Sequence, residues 1–218
     1  MKDLRGTYVH YGDVLRRRRR VRAGAMVLGL VVAAVLGARS WEPSEAVAAG
    51  SASMVERNAA ASAGLESRQL ERWHAIYNYS RRYKITTELS AAIYDAAVAE
   101  RIDPALAFPL VRLESQFNPK ALSPVGAVGL TQLMVPTARG YIPGVTREDL
   151  YDRDLNLTIG FRFLRDLIKT YKGNVELALL VYNRGGVAVE LDRELGINPS
   201  NGYDRIVMKG YRGKGVLD

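Results

Sequence analysis

The 218-residue chain contains no cysteine. That absence excludes disulfides, thiolate metal sites and a cysteine nucleophile, and with them the residue by which a lipid-anchored envelope protein is attached. Histidine is almost as scarce. His10 and His74 are the only two, far apart in sequence, so a histidine-rich metal site is not expected, and neither metal nor cofactor is called for. Strand-like alternation is missing as well: no period-2 run extends beyond a few residues, and no internal repeat is apparent. The length accommodates one domain of ordinary size plus extra segments.

Basic charge is abundant but confined. The formal net charge is +8, yet residues 1–22 hold eight Lys and Arg against Asp3 and Asp13, a net of +6, which leaves +2 for the other 196 residues. The high pI belongs to a tail. The remainder has no bulk basicity, and nucleic acid is not an expected partner.

After that tail, residues 23–38 form a 16-residue run without charge between Arg22 and Arg39. As a helix it would be roughly 24 Å long at about 1.5 Å per residue, somewhat short of a ~30 Å hydrocarbon core. Flanking arginines that snorkel and Trp41 at the interface make up the difference. The arginine cluster then predicts a cytoplasmic N-terminus with everything after Trp41 outside: a single-pass inner-membrane protein whose domain faces periplasm or cell wall. A cleaved signal peptide, with Ala46-Val47-Ala48 as its small-x-small site, is the alternative and would give a secreted protein. Residues 42–65, rich in Ala, Ser, Gly and Glu, read as a flexible linker reaching roughly 25–30 Å, with helix as the alternative for the alanine-rich part. The organisation expected is therefore a basic cytoplasmic tail (1–22), a membrane anchor or signal segment (23–41), a linker (42–65) and a folded domain (66–218).

That domain reads as helix after helix, a mainly α fold. Leu65, Leu70, Trp73, Ile76 and Tyr77 recur at helical spacing, as do Leu89, Ile93, Ala96 and Ala97. Thr87 is a candidate N-cap for the second of these helices. Asp103-Pro104 is a cap followed by proline at the first helical position, predicting a helix to about Ser115. Asp154 and Asn174 are read as caps of two further helices, the second ending near Asn183 with Gly185 and Gly186 beyond.

Glu114 stands out within this frame. It falls in the last turn of the helix from Asp103, where the partial negative charge of the helix end disfavours a carboxylate. Leu110, Leu113 and Phe117 would add desolvation. Both effects raise the pKa, as a general acid requires if it is to keep its proton near neutrality. A solvated last-turn glutamate is the bland reading of the residue alone.

The wider pattern decides between the two. Glu114-Ser115, Phe117-Asn118-Pro119, Ser123, Gly126-Ala127, Gly129-Leu130, Gln132-Leu133-Met134 and Pro136-Thr137-Ala138 follow one another in order, and Tyr182-Asn183 comes later before glycines. This ordered set, over roughly Leu89 to Tyr211, resembles the lysozyme-like lytic transglycosylases of bacteria. The resemblance implies a lysozyme-like helical domain with a central groove, preceded here by one N-terminal transmembrane helix. It implies cleavage of the MurNAc-β-1,4-GlcNAc bond of peptidoglycan glycan strands without water, giving 1,6-anhydromuramic ends. Glu114 matches the catalytic acid and base, and one carboxylate suffices because the substrate's N-acetyl group assists. Ser123, Gln132, Tyr182 and Asn183 match residues that hold the acetamido group or orient the acid, and Met134 matches a groove-lining position. Such a site needs neutral donors and acceptors at fixed places beside a developing cationic ring. Gly126, Ala127 and Gly129 offer no bulk to obstruct a sugar.

The chain departs from the family pattern at four points. Pro136-Thr137-Ala138 is one residue tighter than the usual Pro-x-Thr-Ala. Thr131 stands where methionine is usual, Pro109 where a helix former is expected, and Arg184 where a small residue follows Tyr-Asn. Arg184 is placed to reach an anionic peptide stem or to point to solvent. Two alternatives accompany the lytic reading: a muramidase using water, which needs a second carboxylate, and a catalytically weak glycan-binding or scaffold protein of an envelope machine with an unknown partner.

Overall fold

A computed structural model describes residues 45–217 of the chain, which separates into units 1–65 and 66–218. The uncharged run at 23–38 and the basic tail lie outside the described residues. Among those that are described, no helix is long and apolar enough to cross a membrane. The architecture is helical: α1 Glu45–Tyr83, α2 Thr87–Ala99, α3 Pro104–Ser115, α4 Val135–Arg139, a 3-10 turn Asp149–Tyr151, α5 Arg153–Thr170, α6 Val175–Arg184, α7 Gly186–Glu194 and α8 Tyr203–Val207. Extended pairing among the described residues is limited to the isolated bridges Ile102 to Val216, Leu122 to Val128 and Val128 to Leu133.

Residues 45–65, where linker and helix are the two readings of the sequence, fall within α1. The apolar spacing along α1 is helical as expected, but it does not mark a core face. Leu65, Leu70, Trp73 and Tyr77 are exposed, and burial begins at Ile76 and Ser80. The last turns of the helix meet the core. Tyr79 stacks on Phe108 with ring centroids 4.0 Å apart, and Ser90 Oγ of α2 donates to the Ile76 carbonyl at 2.7 Å.

The main core is built from α2, α3, α5, α6 and α8. Ile93, Leu106, Phe108, Leu110, Leu157, Phe161, Leu164 and Leu179 are fully buried in it, each removing apolar area from water at about 25 cal/mol per Å². A second cluster (Val128, Leu133, Ala138, Val145, Leu150, Ile159) lies under the segment between α3 and α5. Helix starts follow local chemistry. Asp103 Oδ1 accepts from Ala105 N at 2.8 Å, and Asn174 Oδ1 from Leu177 N at 2.9 Å, both as the sequence suggests. Elsewhere the cap lies a residue or two earlier than expected. Thr86, not Thr87, caps α2, and Asp152, not Asp154, caps α5.

Helix α3, which carries Glu114, continues through Pro109. Proline removes the bond from its own nitrogen to the Ala105 carbonyl, and Ala105 is an exposed residue. The start of α3 is pinned by the C-terminal segment. Tyr211 Oη donates to Asp103 Oδ2 at 2.9 Å, and Asp103 N donates to the Gly215 carbonyl at 3.0 Å.

Candidate active site

Glu114 sits in the last turn of α3, which stops abruptly. Gln116 and Phe117 both take left-handed conformations, with φ of 51° and 66°, and Gln116 N donates to the Arg112 carbonyl. Two successive non-glycine residues in that region cost on the order of 1 kcal/mol each. Packing offsets this: Phe117 meets the Tyr83 ring edge-on with centroids 5.3 Å apart. The neighbouring Ser115 is buried and donates Oγ to the Val111 carbonyl at 3.1 Å, so its hydroxyl serves the helix.

The Glu114 carboxyl is half-buried and accepts a hydrogen bond from Tyr203 Oη of α8. Burial pushes its pKa from the ordinary 4.5 up to about 7, against the opposing pull of the Tyr203 bond, which favours the carboxylate. The apolar contribution does not come from Leu113, which is exposed. Leu110 is fully buried, and Phe117 packs against the same core. Tyr203 and Tyr182 both face Glu114. Each phenol is held well above 10, first by burial and then by the nearby Glu114 charge. Tyr182 Oη donates to the Thr131 carbonyl at 2.8 Å. Thus α3, α6, α8 and the loop before α4 converge on a single carboxyl.

That loop is braced from beneath. Buried Asn156 of α5 donates Nδ2 to the carbonyls of Val128 (2.9 Å) and Leu150 (3.0 Å) and accepts at Oδ1 from Thr131 N (2.9 Å) and Thr131 Oγ1 (2.7 Å). A Cβ on Gly129, whose φ is +75°, would lie 2.4 Å from Asn156 Nδ2, and one on Gly160 2.3 Å from Thr131 Oγ1. The brace therefore requires glycine at position 129. Thr131 is wholly buried and hydrogen-bonded; it leaves no hole where methionine is usual.

The remaining candidates are placed as follows. Gln132 has φ of 47° and donates Nε2 to the Gly129 carbonyl at 2.9 Å. Ser123 Oγ accepts from Ala127 N at 2.9 Å, closing the turn around Gly126. Met134 is 39% exposed at the start of α4. Asn183 is exposed and accepts at Oδ1 from Asn201 Nδ2 at 2.9 Å. Only Tyr182 among these is directly coupled to Glu114. Arg184 neither points free into solvent nor stands ready for a peptide: Nη1 donates to Asp192 Oδ2 (2.7 Å) and to the Pro199 carbonyl (2.5 Å). Tyr203, Asn201 and Asn156 escaped sequence reasoning. Their contacts to Glu114, to Asn183 and to Thr131 and Val128 span 89, 18 and 25–28 residues, beyond any local pattern. A cleft of about 400 Å³ lined by Val135, Arg139, Thr146, Arg147 and Glu148 begins one residue past Met134 and not at Glu114. Three carboxylates between α4 and the first turn of α5 are engaged locally: Asp149 accepts from Thr146, Asp152 caps α5 and Asp154 pairs with Arg153. No group of three or more metal-ligating side chains is gathered among the described residues.

Residues 91–195 match the Transglycosylase SLT domain family. Over that stretch the chain resembles the transglycosylase SLT domain. Glu114, the braced loop and Tyr182 lie inside the matched stretch, and Tyr203 lies just beyond it. The chain is 41% identical over 90 residues to the transglycosylase of Enterobacteria phage PRD1, covering 41% of this chain and 32% of the phage protein. It is 35% identical over 92 residues to the soluble lytic murein transglycosylase of Escherichia coli K12, covering 39% of this chain and 14% of that protein. The chain thus spans a third or less of the length of these relatives. Among solved structures, an inactive variant of the lytic transglycosylase Slt from Pseudomonas aeruginosa overlaps with a TM-score of 0.47 at 24% identity, over 58% of this chain and 25% of that one. The 70 kDa soluble lytic transglycosylase of Escherichia coli overlaps with a TM-score of 0.42 at 26% identity, over 64% and 21%.

Proposed function

We propose that this protein is a peptidoglycan lytic transglycosylase that cleaves the MurNAc-β-1,4-GlcNAc bond with Glu114 as its single general acid and base. The observation that carries the reading is the setting of Glu114: a half-buried carboxyl inside the stretch that matches the SLT family, bonded to the Tyr203 hydroxyl, with burial pushing its pKa up to about 7. A neutral carboxylic acid donates its proton to the bridging oxygen as the C–O bond breaks, and the substrate's acetamido carbonyl oxygen closes on the vacated carbon. The resulting carboxylate takes the proton of the C6 hydroxyl, whose oxygen then displaces the acetamide to form the 1,6-anhydro ring. Protons balance within one turnover, and water is not consumed.

The neighbourhood suits that sequence. Tyr203 steadies Glu114 when it is ionised, and no cation competes with the developing charge on the sugar among the groups that shift the Glu114 titration. Tyr182 fixes the Thr131 carbonyl and with it the placement of Gln132, which, with Ser123, Asn183 and Met134, contacts the glycan. A domain of this kind, with the basic tail and uncharged run preceding it, works from the outer face of the inner membrane, held by a single span.

Purified cell wall incubated with the protein should release anhydromuropeptides one water lighter than muramidase products, and Glu114→Gln should abolish the release. Undiminished release by that variant, or hydrated reducing ends from the native protein, overturns the proposal.

A further inference from the structure

Tyr203 is the first residue of its helix and has no side-chain cap beneath it: Gly202, at φ +91°, precedes it without donating a capping side chain. The loop 195–202 that delivers it has no helix of its own, so something must fix its course. Ser200 ties the loop to α8 itself, donating Oγ to Asp204 Oδ1 at 2.8 Å and accepting from Gly202 N at 3.3 Å, and Asn201 links Tyr203 to α6, accepting from Tyr203 N at 3.1 Å and donating to Asn183 at 2.9 Å. The two Asn201 bonds are neutral, and the one to Asn183 is exposed, where water competes for it. The tie that brings in α7 lies two residues before Asn201. Arg184 Nη1 is shared between Asp192 Oδ2 and the Pro199 carbonyl, with the arginine and aspartate side chains only 26% and 21% exposed. A charge-assisted contact of that kind is shorter and stronger than a neutral one. It joins the end of α6, the middle of α7 and the loop at a single nitrogen.

We propose that Arg184 is a positioning residue: by clamping Pro199 and Asp192 it sets the path of the loop that presents Tyr203, and so holds the phenol on the Glu114 carboxyl. This rests on reading Glu114 as the acid. Tyr203 from α8 and Tyr182 from α6 are the titratable groups that interact with Glu114, and Asp192 of α7 is the charge that meets Arg184. Loosening the clamp removes the Tyr203 hydrogen bond, which favours the ionised carboxyl, and so moves the Glu114 titration upward.

The test follows the Glu114 carboxyl resonance by carbon-13 NMR in the full-length, glutamate-labelled protein, with Glu114→Gln assigning the signal. Tyr203→Phe defines complete loss of the bond. Arg184→Ala is expected to move the midpoint upward toward the Tyr203→Phe value, by up to about one pH unit, and Asp192→Asn by less in the same direction. The double variant Arg184→Ala with Tyr203→Phe is expected to add nothing. A midpoint unmoved by Arg184→Ala while Tyr203→Phe shifts it, or two shifts that add, overturns the assignment. If Arg184→Ala does not fold, Asp192→Asn decides by the same criterion, an unmoved midpoint counting against the clamp. Anhydromuropeptide release is scored separately. Midpoints that move as expected in a protein that releases no product uphold the clamp and defeat the reading of Glu114 as the acid.

Discussion

At the scale of single residues, Glu114 sits in a balance between burial, which raises its pKa, and Tyr203, which lowers it. Because the folded value of about 7 exceeds the ordinary 4.5, the folded state binds more protons than the unfolded state across that window. Stability therefore falls as pH rises from about 4.5 to 7 and stays lower above it. Glu114→Gln removes this dependence. In urea denaturation the variant should match the native protein near pH 4 and exceed it at pH 8 by up to about 3 kcal/mol, whereas a pH-independent difference would contradict the burial argument. Catalysis needs the protonated acid, so kcat/KM should fall above about pH 7, and Tyr203→Phe should carry that alkaline limb upward while lowering the maximum. Glu114 itself was legible from sequence because helix end, apolar neighbours and the Glu-Ser motif are all local. Tyr203 was not, since its contact spans 89 residues and nothing beside it marks a buried phenol. Leu113 misled for the opposite reason: adjacency in sequence placed it on the exposed side of the helix from which Glu114 turns inward.

At the scale of elements, α2, α3, α5 and α6 were readable from cap chemistry and periodicity, with caps slipping by one residue at Thr86 and two at Asp152 where a second hydroxyl or carboxylate lay nearby, whereas the short α4 and the 3-10 turn at Asp149–Tyr151 were not. The segment between α3 and α5 was less legible. Its path depends on Asn156, Thr131, Gly129 and Gly160, and each is explained only by the others. Thr131→Met, which restores the residue usual in the family, is expected to destabilise the domain by about 1–3 kcal/mol. It drives bulk against Gly160, where even a methyl group would sit 2.3 Å from the present hydroxyl, and removes a donor to Asn156. A lowered urea midpoint with unchanged m is the expected result, and an unchanged midpoint would show that the brace tolerates what its geometry forbids. The exposed stripe of α1 teaches the converse lesson: Leu65, Leu70 and Trp73 repeat correctly for a helix, yet periodicity alone does not say whether a face finds a partner.

At the scale of the molecule, the chain divides at residue 65, and the core contacts of α1 begin only at Ile76. A fragment comprising residues 66–218 should therefore fold with a Tm within a few degrees of the full chain, as the size scaling of small stability changes allows, and should release product from soluble wall fragments at an undiminished rate. Full-length protein should stay with membranes through alkaline carbonate extraction, and recovery in the soluble fraction would remove the proposed anchor while leaving the chemistry intact. All of this depends on one carboxyl keeping its proton near neutrality, and direct titration of Glu114 in the native protein by carbon-13 NMR tests that most directly. The expected midpoint is near 7; a carboxyl already ionised at its ordinary midpoint near 4.5 would contradict it.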